Sequence, residues 1–175
     1  NLPARIMKIK KNVHGLNRYH TPPSDNAIVR HIISKQNNLT SVDFDKYHHL
    51  INIRTLNATC GALMHELIDV SFENYQKLKR TEMRALSTRL GDTLQSLNLS
   101  KSSLDDDSVQ VIAHFTALKS LNVSYTEITD DALKWICFGC SKTIVSLSLA
   151  GCDVTQVSCD WIAGLVGYYK APCKI

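Results

Sequence analysis

The chain has 175 residues, a formal net charge of +4 and 44% apolar residues, which suits one domain with a continuous core. It holds no run of 18 apolar residues, which excludes a membrane-crossing helix, and residues 1–15 are basic without the apolar stretch of a secretory signal. Residues 1–38 carry seven basic and one acidic side chain, whereas residues 91–175 carry six and nine, so no continuous basic stripe for nucleic acid is expected.

Residues 1–23 read as a basic arm, with Leu2, Ile6 and Ile9 set among Arg5, Lys8, Lys10 and Lys11. Thr21-Pro22-Pro23 then interrupts the chain, because proline cannot continue a helix and restricts the residue before it. Ser24 and Asp25 cap a helix whose apolar face is Ile28, Val29, Ile32 and Ile33. The second region, 24–175, is built from one recurring phrase: LTSVDF at 39–44, LIDVSF at 67–72, LQSLNL at 94–99, LKSLNV at 118–123 and IVSLSL at 144–149. The starts are 28, 27, 24 and 26 residues apart. Each phrase reads L-x-x-L-x-L and leads into a polar loop and an amphipathic segment. A period in the twenties with this strand signature is that of a leucine-rich repeat. The expected fold is therefore an α/β horseshoe-shaped solenoid of about five repeats, with short parallel strands on the concave face and helices on the convex face.

The helical segments follow the same logic. Met83, Leu86 and Leu90 should face the core while Lys77, Lys79, Arg80, Arg84 and Arg89 cover the convex surface, as a solvated face or as a contact for an acidic partner. Asp105, Asp106 and Asp107 precede Val109, Ile112 and Phe115. Thr129, Asp130 and Asp131 precede Leu133 and Ile136. Both sets belong at helix starts, where hydroxyls and carboxylates meet unpaired N–H groups and the positive end of the helix dipole; the acidic triplet lacks the glycine of a calcium loop. The last helix should include Trp161, Ile162, Leu165 and Val166, and Ile175 could open a further strand, so truncation at the C-terminus is expected.

No metal or cofactor site is expected. Cys137-Phe-Gly-Cys140 is one C-x-x-C without a second pair, and a structural zinc needs four ligands. Cys140 and Cys152 fit the helix-end and loop slots of a repeat where a small buried thiol packs, which suits a reducing cytoplasmic or nuclear setting. A glycan at the strand sequons Asn98 and Asn122 would clash with the neighbouring repeat. No phosphate-binding, zinc-protease or serine-nucleophile motif occurs, so the expectation is a non-enzymatic, protein-binding module. Its candidate ligand surface is the outward side of the strands and their rims: Asp43, Asp45, Asp69 and Glu73 at an acidic end, then Asn98, Ser100, Asn122, Ser124 and Ser148, with Tyr75 and Tyr125 as rim aromatics. An acidic end favours a basic peptide or protein; the alternative is a plain solvated sheet.

Residues 118–133 (LKSLNVSYTEITDDAL) and 147–152 (LSLAGC) resemble the cysteine-containing repeats of F-box/leucine-rich-repeat proteins. The order of parts is similar to the Zyg/Zer family of cullin–RING substrate receptors, where a short N-terminal box with a Leu-Pro motif precedes degenerate and then clearer repeats. Leu2, Pro3 and Ile6 match the tail of such a box. The resemblance implies a substrate receptor of the ubiquitin-conjugation pathway: the repeats hold a target, Leu2, Pro3 and Ile6 engage an elongin or Skp-type adaptor of a cullin complex, and other subunits transfer ubiquitin. The alternatives are a general scaffold or assembly factor without any ubiquitin link, and a targeting module fused to a catalytic domain outside this chain.

Overall fold

A computed structural model describes residues 40–44, 52, 54, 67–140 and 142–169; the side chains of 159 and 164–169 lie outside that description. The five phrases form five three-residue strands: β1 (Ser41–Asp43), β2 (Asp69–Ser71), β3 (Ser96–Asn98), β4 (Ser120–Asn122) and β5 (Ser146–Ser148). They make one parallel sheet in sequence order. Equivalent letters of the phrase pair across it, Ser96 with Ser120 and Ser120 with Ser146. Each strand shows one side chain to the core (Val42, Val70, Leu97, Leu121, Leu147) and two to the opposite face, the period-two alternation of a pleated strand. A slip of one residue would expose the whole row, which is what holds the register.

The helices return the chain on the other side: α1 (Arg80–Leu90), α2 (Asp106–Val109) continuing into a 3-10 segment (Gln110–His114), α3 (Asp130–Cys140) and α4 (Gln156–Tyr169). Each packs on the next. Met83, Leu86 and Leu90 of α1 face the core as expected. The third repeat is the shortest, 24 residues between phrase starts, and that shortening sets its helix: four α residues, then 3-10, which climbs about 2.0 Å per residue rather than 1.5 and crosses the same height with less chain. Between sheet and helices the phrase leucines stack with Leu78, Leu104, Ile112, Ile128, Leu133 and Ile136 in one core. At the β1 side the stack is aromatic, with Phe44 on Phe72 at 4.8 Å and Phe72 against Tyr75 at 5.7 Å between ring centres; Leu99, Val123 and Leu149 take over the Phe72 position further along.

Polar groups lock successive repeats together. Asp105 caps α2 by accepting the Ser108 N–H at 2.9 Å. Asp106 and Asp130 do something the sequence did not announce. Each reaches forward, accepting both the N–H and the hydroxyl of the threonine that opens the next helix: Thr129 at 2.9 and 2.6 Å, Thr155 at 2.9 and 2.6 Å. Asp130 also accepts the Ser158 hydroxyl. Those bonds, led by Ser158 and then Thr155, hold the Asp130 carboxyl below its ordinary range, because each favours the charged form.

Candidate functional site

The exposed sheet face carries two rows of outward side chains in strand register. The first is Ser41, Asp69, Ser96, Ser120 and Ser146; the second is Asp43, Ser71, Asn98, Asn122 and Ser148. Adjacent strands lie about 4.8 Å apart, so these form a short-side-chain floor with its acids at the β1–β2 end. Asp43 is exposed, and Asp69 is half-buried and accepts the Ser41 hydroxyl at 3.1 Å.

Part of this floor is occupied by its own hydrogen bonds. Asn98 donates from Nδ2 to the Ser71 hydroxyl at 3.2 Å, while its Oδ1 accepts the N–H and hydroxyl of Ser100 at 3.1 and 2.8 Å. Asn122 Oδ1 accepts the Ser124 N–H at 3.0 Å, and the Ser124 and Ser148 hydroxyls meet at 2.8 Å. An asparagine that bonds the N–H two residues on is an Asx turn, and it closes each strand. The Nδ2 of Asn122 has no hydrogen-bond partner among the described residues and remains a donor at the middle of the floor.

Three placements expected from the sequence are corrected. Ser100 and Ser124 are each only 5% exposed; the chain turns at the end of the strand, so the alternation stops at Asn98 and Asn122 and the next polar residue folds inward. Tyr75 is not on the rim but in the core, 1% exposed against Phe72. Burial first, and the Glu82 carboxylate second, push its phenol above its ordinary range. Asp45 and the arm residues Leu2, Pro3 and Ile6 lie outside the described residues.

The rim is built by a device the sequence reading missed. Counted from the phrase start, the eighth position of the last four phrases takes a left-handed backbone: Asn74 at φ 62°, Lys101 at 56°, Tyr125 at 58° and Gly151 at 69°. The N–H groups of the first three donate to Ser100, Ser124 and Ala150 carbonyls of the next repeat at 3.0, 2.8 and 2.7 Å. Asn and Gly at equivalent positions were the available signal, since both enter this region readily. Lys101 there reaches Glu73 at 2.8 Å, an exposed pair of small energetic weight. Tyr125 is 61% exposed. Its ring lies over Gly151, where an added Cβ would sit 2.5 Å from Cδ1 and 2.7 Å from Cε1. A missing side chain in one repeat therefore seats the aromatic ring of the one before.

Among the described residues no three His, Cys, Asp or Glu side chains come together as a metal group, and no helix is long and apolar enough to cross a membrane. Cys137 and Cys140 are buried thiols outside any disulfide, and Cys152 is a half-buried one. Cys140 and Cys152 donate to the Ile112 and Val123 carbonyls of the preceding repeat at 3.5 and 3.1 Å. Burial, then its neighbour Cys137, pushes the Cys140 thiol up to about 12.

A leucine-rich-repeat family model matches residues 116–137, the stretch that holds β4, the Tyr125 rim and most of α3. No curated protein matches the chain. The match and the parallel sheet with its returning helices support a leucine-rich-repeat protein, a class whose members are in general interaction modules without enzymatic activity.

Proposed function

We propose that this chain recognises an extended stretch of another protein across its exposed sheet face, with Tyr125 as the anchor. One observation carries this reading. A bulky residue in left-handed backbone costs roughly 1–2 kcal/mol where glycine costs nothing comparable, yet Tyr125 holds that conformation while its ring stays mostly in water. Stability alone would favour the glycine or asparagine used at Gly151 and Asn74. An aromatic ring fixed on a glycine surface has little rotamer freedom left to lose, as a binding hot spot requires. Beside it, the Ser and Asn floor offers hydrogen bonds to a peptide backbone, and Asp43 and Asp69 favour basic side chains at the far end.

At a finer level, the reading is the substrate-recognition part of a cullin–RING ubiquitin ligase receptor. Its support is the resemblance of residues 118–133 and 147–152 to cysteine-containing repeats, together with the thiols of Cys140 and Cys152 bonded to the previous repeat in the slots such repeats use. The buried, reduced Cys137 and Cys140 support a cytoplasmic or nuclear setting. Affinity purification of the parent protein with mass spectrometry tests this level. A cullin, a RING protein and an elongin or Skp-type adaptor are expected; a stable complex without ubiquitin machinery would leave a scaffold or assembly factor.

A further inference from the structure

The helix side holds a second surface of opposite sign. Lys77, Lys79, Arg80, Arg84 and Arg89 are all exposed along α1 and its lead-in, and none has an ion-pair partner among the described residues. The acid of this helix, Glu82, does not neutralise them. It is turned back on the helix start, accepting the Lys79 N–H at 3.2 Å and the Thr81 hydroxyl at 2.7 Å. Repeat register makes the departure specific. The two positions that open each helix are Asp105-Asp106, Thr129-Asp130 and Thr155-Gln156 in the later repeats, but Lys79-Arg80 in α1. Cations there oppose the helix dipole, which favours acids at that end. On the outermost face the small residues Thr81, Ala85 and Thr88 form the floor of an open recess flanked by Arg84 and Arg89.

We propose that this face of α1 docks an acidic segment of a partner polypeptide, a short run rich in Asp and Glu, with carboxylates held by the arginine forks. Paired N–H groups on guanidinium match carboxylate geometry, and the low floor lets a chain lie between the two arms. The surroundings decide against other polyanions. No exposed large apolar residue lies on α1 to enter a membrane, and no aromatic ring is there to stack a base. The basic area is also short, about 16 Å for 11 helical residues. It ends in exposed acids, Asp92 after α1 and Asp105 and Asp107 on the next repeat, which a long nucleic acid would meet. This surface is separate from the sheet face and does not depend on it.

The test is fluorescence anisotropy of a labelled 12-residue peptide of alternating Glu and Ser with the full chain at low and moderate salt. Two triple variants with the same loss of charge are compared: Arg80→Gln/Arg84→Gln/Arg89→Gln on this face and Lys119→Gln/Lys134→Gln/Lys142→Gln away from it. All six positions are exposed, and circular dichroism checks the fold. The proposal expects salt-sensitive binding, weakened tenfold or more by the arginine triple and less than twofold by the lysine triple. Equal weakening by both triples, no binding by the wild type, or tighter binding of a 12-nucleotide oligothymidylate or of phosphatidylserine vesicles would overturn it.

Discussion

Gly139 offers a prediction in which two physical effects have opposite signs. It sits in the last turn of α3, an exposed residue where an alanine would ordinarily stabilise a helix by about 1 kcal/mol. In this fold an added Cβ would lie 2.3 Å from both Cα and Cβ of Ala113 and 3.2 Å from its carbonyl carbon. Carbon atoms settle near 3.5–4.0 Å, so α3 would have to retreat by more than about 1 Å from the 3-10 segment. The atoms in the way are backbone and a side chain with no rotamer to change. Overpacking of this kind costs roughly 1–3 kcal/mol, and a clash with two atoms belongs at the upper end. Gly139→Ala should therefore destabilise by about 1–2 kcal/mol net, lowering Tm by about 2–8 °C in a chain of this size. The double variant Gly139→Ala/Ala113→Gly removes the Ala113 Cβ but leaves its Cα in the way, so it should recover only part of that loss, a coupling that chemical denaturation of the four proteins measures directly. A Tm that rises in Gly139→Ala, or a double variant no better than the sum of the singles, would refute the close approach of α3 to the preceding repeat.

Other outcomes follow from the same contacts. Leu121→Asp puts an unpaired charge at a fully buried strand position and should lose several kcal/mol; a near-native urea midpoint would contradict the strand register. Asp130 has a carboxyl held below its ordinary value of 3.8, so its bonds stabilise the fold above that pH and lose their effect as pH falls through the still lower folded value. Asp130→Asn should thus be less stable than wild type at neutral pH, with the gap closing in acid; a pH-independent gap would assign the loss to something other than charge. Cys140, pushed up to about 12, should stay unlabelled by iodoacetamide in the folded chain at pH 8 and react only on denaturation, because the thiolate is the nucleophile.

How much of this was visible in the sequence depends on how local the determinant is. The phrase L-x-x-L-x-L carried the strands and the sheet order, and through the equivalence of Ser96, Ser120 and Ser146 it carried the register as well. It reached even the worn copies at Val42 and Val70, since β-branched and aromatic residues fill the same slots. Helix starts at Asp105 and Thr129 were legible from capping chemistry. What escaped was contact between repeats. The forward reach of Asp106 and Asp130 depends on a threonine 23 and 25 residues on, beyond any local pattern. Tyr75 was misplaced because left-handed Asn74 redirects the chain just before it, so the strand alternation no longer applies. Ser100 and Ser124 were lost to the same turn. Tyr125 was expected at the rim and stands there, but its seat on Gly151 could be seen only once the two repeats were side by side.

The central claim is that Tyr125 anchors a bound polypeptide on the sheet face. The most direct measurement is selection of binding peptides from a random 12-residue library, followed by their affinities for wild type, Tyr125→Ala and Asp69→Lys, all of which should fold alike because neither side chain is in the core. The peptides selected for this face should be neutral or basic, and their affinity should fall by tenfold or more in Tyr125→Ala, a loss of at least about 1.4 kcal/mol, with basic peptides also weakened by Asp69→Lys. Selected neutral or basic peptides that bind Tyr125→Ala as tightly as wild type would contradict it.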